Sequence, residues 1–191
     1  MRFVVHLLTL IVVALVVGFG LSWYALTDGR LFGAHQVGPW LAWPQIGQPN
    51  PDPYTRAFLA RAGALELGLS EGLQFVATAD STGRRLERTC RYRIDGETPV
   101  AQFWTLAATT PDGASVASAS GPLTLRSNRV ARPADGSTVL YVGPTVAPQN
   151  WLEIGGEGPF ALVLTLYDTS VFAGVGSSVE TMPAIIREGC A

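Results

Sequence analysis

Two hydrophobic patterns divide the chain. From Phe3 to Leu26 the sequence FVVHLLTLIVVALVVGFGLSWYAL runs for 24 residues without a formal charge. From Leu73 onward, short stretches alternate apolar and polar positions with a period of two. The first block, at about 1.5 Å per residue, makes a helix about 36 Å long, against a hydrocarbon core of about 30 Å. It predicts a membrane-spanning helix over residues 3–26 in contact with the lipid bilayer. A cleaved signal peptide has a shorter apolar region, about 7 to 15 residues, followed by small residues. Here Trp23 and Tyr24 stand at the exit, as interfacial aromatics do, so a retained anchor is preferred to cleavage. Arg2 lies on one side and the nearly cancelling Asp28 and Arg30 on the other, which places the N-terminus inside and the remainder outside. His6 lies within the first turns and reaches the interface by snorkelling.

Residues 27–51 show neither period. With Pro39, Pro44, Pro49 and Pro51 they predict an extended, irregular arm. Trp40 and Trp43 carry too much apolar area for a solvated linker, so the arm is expected to lie across the folded domain. Asp52 then caps a short helix with Pro53 at its first position. Tyr54, Phe58, Ala62 and Leu65 share one face of it, and Gly63 marks its stop. That face is expected to pack on the sheet, with Arg56 toward solvent.

Seven segments alternate as strands: LQFVATAD, LERTCRYRI, QFWTLAAT, PLTLRS, STVLYVG, FALVLTLYD and PAIIREG. Turn signals at residues 80–83, 95–99, 111–113, 134–136 and 155–159 separate them, which suits mostly antiparallel pairing. In LERTCRYRI, alternation puts Leu86, Arg88, Cys90, Tyr92 and Ile94, a mainly apolar set, on the core side, and Glu87, Thr89, Arg91 and Arg93 on the other. The expectation is three parts: an anchor (1–26), an arm (27–51) and a mainly β domain (52–191).

Composition refines this picture without changing it. The 191 residues are 48% hydrophobic and 15% charged, with 21 glycines and 13 prolines, enough for one domain with a real core and many turns. Every basic residue is arginine, and the formal net charge is −2, so there is no global basic field for nucleic acid. The two cysteines, Cys90 and Cys190, have no metal-type spacing around them. An exported domain favours one disulfide between them over two buried thiols.

Candidate chemistry is sparse. Outside the anchor the single histidine is His35, which leaves little material for Ser-His-Asp catalysis or a histidine metal site. GVGSSVE is not a nucleophile elbow, and no phosphate-cradling glycine motif is present. No cofactor and no metal is therefore expected. Asp168, after a hydrophobic strand, is the weak candidate for an acid or base, with Glu71 or Glu153 as partner; a turn-closing role for it is preferred. Arg84, Arg85, Arg88, Arg91 and Arg93 are divided by strand alternation, and a solvated strand with salt bridges is the preferred reading. Trp40, Trp43, Tyr54, Trp104, Trp151 and Tyr167 form the aromatic set. They are read first as a clamp for the arm and second as a platform for sugar rings or acyl chains.

Four segments taken together resemble a known bacterial family: GPWLAWPQIGQPNPDPYTRAFLARAG, CRYRIDGETPVAQFWTL, NWLEI followed by PFALVLTLYD, and MPAIIREGCA. The chain is similar to domain of unknown function 1214 in a short, membrane-anchored form, from about Gly38 to Cys190. The resemblance implies a jelly-roll-like antiparallel β-sandwich with one short helix, and it supplies no catalytic residue. The resulting expectation is an inner-membrane-anchored periplasmic protein, a non-enzymatic module binding an envelope protein, glycan or lipid. A carboxylate-dependent enzyme acting on a glycan or lipid, and a structural subunit of an envelope assembly, are the alternatives.

Overall fold

The computed structural model describes residues 2–27, 34–48, 50–62, 67, 71–118, 120–132, 138–168 and 181–190. The expected helix stop at Gly63, the face residue Leu65, the turn at 134–136 and the whole of GVGSSVE lie outside them, as do Asp28 and Arg30. In chain order the elements are α1 (Arg2–Thr27), β1 (His35–Val37), β2 (Trp40–Ala42), α2 (Pro53–Ala62), β3 (Gly72–Ala77) and β4 (Cys90–Asp95). There follow β5 (Phe103–Thr109), β6 (Thr124–Arg126), β7 (Val139–Gly143), β8 (Asn150–Glu153), β9 (Ala161–Tyr167) and β10 (Ala184–Cys190).

Helix α1 carries a 24-residue stretch, Arg2–Ala25, long and apolar enough to cross a membrane, and none of it is buried by the rest of the chain. In α2 the expected cap is present: Asp52 Oδ1 accepts the backbone N–H groups of Tyr54 (2.9 Å) and Thr55 (3.1 Å). These are two of the donors that a helix start leaves without intrahelical partners.

All seven sequence-derived strands are present, in two sheets. The larger has the order β1-β2-β3-β9-β5-β6 and is antiparallel throughout. The smaller has the order β10-β4-β7-β8 and is mixed, since β7 and β8 run parallel. One apolar core lies between them. From the large sheet it takes Phe75, Trp104, Leu106, Leu164 and Leu166, and from the small one Tyr92, Ile94, Leu140, Val142 and Leu152. The alternation is visible in β4, where Cys90, Tyr92 and Ile94 are buried and Arg91, Arg93 and Asp95 are partly exposed. Burial of each large apolar side chain contributes about 1.5–3 kcal/mol. Gly72 is required where β3 meets β9, because a Cβ there would stand 2.2 Å from the carbonyl oxygen of Leu166.

The structure differs from the sequence pattern in three places. The arm expected to be irregular contains the β1–β2 hairpin, and β2 pairs with β3, so this segment extends the large sheet. Strands of three residues are too short to show a period; the turn is made by Gly38, at φ +57°, and Pro39. Strand β8 arises because Asn150 is buried and its side chain holds the backbone. It accepts Ala131 N–H at 2.6 Å and donates to the carbonyls of Ala131 (2.8 Å) and Val139 (3.0 Å). Finally, among the described residues α2 lies beside α1 and against none of the strands. Tyr54, expected on its packed face, is 43% exposed, while Thr55 is buried against the capping Asp52.

Candidate functional site on the outer face of the small sheet

The aromatic residues do not converge on one cleft. Trp40 is fully buried, and its indole N–H donates to the carbonyl of Pro183 at 2.7 Å. Trp43 is partly exposed just beyond β2. Trp104 points into the core from β5. Tyr167, at the end of β9, packs its ring against Phe103 with 5.6 Å between centroids. Trp151 belongs to the other sheet, on β8, and donates from its indole to the carbonyl of Gly143 at 3.1 Å.

Asp168 follows Tyr167 with a left-handed backbone, φ +48°, and its N–H donates to the carbonyl of Glu71 at 3.1 Å. Asp tolerates this conformation better than most residues; the segment that follows it lies outside the described residues. Glu71 is its neighbour. Glu153 lies on β8, accepting a hydrogen bond from the Ser120 hydroxyl at 3.2 Å.

At the same end of the large sheet as Tyr167, a cavity of about 350 Å³ is lined by residues 98–104 together with Ser127, Asn128 and Arg132. Arg132 donates to the carbonyl of Ser127 at 3.5 Å, and Ser127 in turn accepts the Trp104 N–H at 3.2 Å. Its polar side chains and single guanidinium are chemically mixed, and Trp104 is the one member of the aromatic set that reaches it.

A more regular arrangement lies on the outer face of the small sheet. Pairing registers put Ile186 opposite Arg93, Arg93 opposite Tyr141, and Tyr141 opposite Trp151, one residue from each of the four strands. Their sequence neighbours Ile185, Ile94, Leu140, Val142 and Leu152 are buried, so this row faces away from the core. All four are partly exposed, Ile186 the most at 37%. Beside the row, Arg91 lies over Gly143, where an added Cβ would stand 3.0 Å from Arg91 Cα. The absence of a side chain at Gly143 leaves room for Arg91. Charges on the face are matched: Arg91 Nε meets Glu188 Oε2 at 2.7 Å, and Arg93 Nη1 meets Asp95 Oδ2 at 3.1 Å. Of the arginine cluster, Arg91 and Arg93 share this surface. Arg88 leaves it for the carbonyls of Gly158 (3.4 Å) and Gly155 (3.5 Å), and Arg84 turns to Asp80.

Behind the face, β10 is fastened to the core. Cys90 and Cys190 form a disulfide directly across the β4–β10 pair. Asp80 is buried: its Oδ1 accepts the Thr82 N–H (2.9 Å), the Thr82 hydroxyl (2.6 Å) and the Arg84 N–H (3.0 Å). Its Oδ2 lies 3.3 Å from Nε of both Arg84 and Arg187. Burial pushes the Asp80 carboxyl upward, but the Thr82 and Arg84 hydrogen bonds and the Arg84 charge outweigh it and hold the pKa below the ordinary 3.8. Arg187 also donates to the Arg85 carbonyl and lies over the Tyr92 ring, 5.4 Å from its centroid. Burial raises the Tyr92 pKa despite the hydrogen bond its hydroxyl accepts from Glu87 N–H. This network has the character of a structural fastening: its carboxylate is sealed from solvent.

Two mixed or antiparallel sheets around one core, a disulfide on the last strand and an apolar N-terminal helix define the class, a mainly β domain on an apolar helix. The chain belongs to the family described as protein of unknown function (DUF1214), whose model matches residues 71–171. Among solved structures it is similar to the VPA0106 protein from Vibrio parahaemolyticus, at 19% identity and a TM-score of 0.58, over 73% of this chain and 36% of that one. It is also similar to an uncharacterised protein from Burkholderia cenocepacia, at 17% identity and a TM-score of 0.46, over 92% of this chain and 52% of that one. The chain therefore spans about a third of the first protein and half of the second. No protein with a curated description matches it.

Proposed function

We propose that this chain is a tethered, extracytoplasmic binding module. Helix α1 is retained in the inner membrane and carries a jelly-roll-like domain into the periplasm, where the outer face of the small sheet engages an envelope component. The row Ile186, Arg93, Tyr141 and Trp151 carries the binding reading, because it is an outward-facing strip that combines aromatic, aliphatic and hydrogen-bonding groups in register. Such amphipathic side chains contribute contact area at low entropic cost when a partner covers them. Two further features support the location. An apolar helix precedes the domain, and a disulfide between Cys90 and Cys190 is favoured in an oxidising compartment.

Location is tested on native membranes. The full-length chain should sediment with them, migrate with an intact disulfide on non-reducing gels, and become protease-sensitive once the outer barrier is opened. A chain recovered without its first 26 or so residues, or with free thiols facing the cytosol, rejects it. Binding is tested with a photoreactive phenylalanine placed at Tyr141 or, on the other sheet, at Arg126. Crosslinks to an envelope component should form from position 141 and be weak from 126; equal or absent crosslinking rejects the face.

A further inference from the structure

We infer that this face is a glycan-binding platform for an uncharged, hydroxyl-rich polysaccharide chain. The inference rests on the reading of the small sheet as the binding surface and adds the ligand class. Three observations carry it. The first is geometry. Tyr141 and Trp151 are register neighbours on adjacent parallel strands, flanked by Arg93 and Ile186. At about 4.8 Å between strands, the row is a track about 14 Å long, suited to a short oligosaccharide lying across the sheet.

The second observation is how Trp151 is held. Its N–H is committed to the Gly143 carbonyl, so the polar edge of the indole is satisfied and the ring is fixed before any ligand arrives. A pyranose ring has an apolar face of C–H groups and a rim of hydroxyls, and a rigid aromatic meets the former without losing a hydrogen bond.

The third observation is charge. Arg91 with Glu188 and Arg93 with Asp95 form pairs that remain partly exposed, with side-chain exposures between 25% and 42%. Donors and acceptors therefore alternate beside the aromatic pair while the local charge is nearly balanced. That suits hydroxyl groups, which both donate and accept, and it disfavours a phosphate-rich lipid surface, which would need unpaired arginines.

The test uses the full chain in detergent micelles or nanodiscs. The probes are a soluble β-1,4-linked N-acetylglucosamine hexamer, a β-1,4-linked glucose hexamer and vesicles rich in phosphatidylglycerol. Binding is followed by calorimetry and ligand-observed NMR. At least one hexamer should bind, with affinity changing less than about twofold between low and high salt, since no net charge is neutralised. Trp151→Ala and Tyr141→Ala should each weaken it by about tenfold or more; Trp151→Phe, which keeps an aromatic ring but loses the donor to the Gly143 carbonyl, should weaken it measurably, by about threefold to fivefold, and Arg126→Ala should match the parent. Fold integrity is read from the intact disulfide and the circular dichroism spectrum; if Trp151→Ala misfolds, the Tyr141→Ala and Trp151→Phe pair decides. The inference is overturned if neither glycan binds, if binding ignores Trp151 and Tyr141, or if salt-sensitive vesicle binding replaces it. A face that crosslinks an envelope component from position 141 yet ignores both glycans overturns the ligand class and leaves the binding-module reading standing.

Discussion

The two ends of the folded domain are attached by different physics. At the N-terminal side, the β1–β2 hairpin joins the large sheet through two register pairs with β3 and one buried anchor, Trp40. At the C-terminal side, β10 joins the small sheet through a disulfide, the Asp80–Arg187 ion pair and the Arg187–Tyr92 contact. The two meet where the Trp40 indole donates to the Pro183 carbonyl, one residue before β10 begins. The hairpin is held by apolar burial, backbone pairing and the buried Trp40 hydrogen bond, which any well-packed sheet edge supplies. Strand β10 is short of apolar contact, since much of it is exposed beyond Ile185, and covalent and ionic links take the place of packing. An edge strand with little buried area needs such fastenings to remain paired.

Breaking the covalent link should have the largest effect. The disulfide closes a loop of 100 residues, for which chain entropy gives up to about 4.7 kcal/mol. Cys90→Ser with Cys190→Ser should therefore lower the denaturant midpoint sharply and release amide protection in β10 first, read by hydrogen exchange. If β10 keeps its protection, the ion pair is the principal fastening. Trp40→Ala should cost about 4 kcal/mol, the usual loss for a large buried aromatic, with protection lost in β1 and β2 while the β10 disulfide stays closed.

Asp80→Asn leaves Arg187 facing a neutral amide, with its side chain only 16% exposed, and should cost about 3 kcal/mol. The same residue sets a pH signature. Its folded pKa is depressed below 3.8, so its contribution is fully present above that value and is lost as pH falls through the folded pKa. Melting temperature should drop on acidification below about pH 4, and Asp80→Asn should flatten that drop. Asp168→Asn, at the left-handed position, should be the mildest change, within about 0.5 kcal/mol. A larger loss would show that the carboxylate itself is needed there.

Much of this architecture is legible in the linear pattern because it depends on near neighbours. Alternation marks β3, β4, β5 and β7, a nearly continuous apolar run marks β9, the Ile185–Ile186 pair marks β10, and the Asp52 cap precedes α2 by one position. The apolar run of α1 follows from composition alone. The inward direction of Cys90 follows from alternation with Tyr92 and Ile94. Strands β1, β2 and β8 are not legible, because each is short and, unlike the equally short β6 within PLTLRS, lies in no longer alternating stretch; β2 is fixed by its pairing with β3, far along the chain. The same holds for the candidate site. Trp151 is visible as an aromatic worth asking about, but its neighbours Tyr141, Arg93 and Ile186 come from strands 10, 58 and 35 positions away.

Local sequence determined the helices and the longer strands, and which side of most of them is apolar, because those depend on backbone sterics and on the spacing of side chains along one element. Tertiary structure alone decided sheet membership, the parallel β7–β8 pairing and the register that aligns four outward residues into one row. Those choices are made by the packing of the shared core, where Leu140, Ile94, Leu152 and Ile185 must be buried together; with their inward positions set, the outward residues have no remaining freedom in where they align.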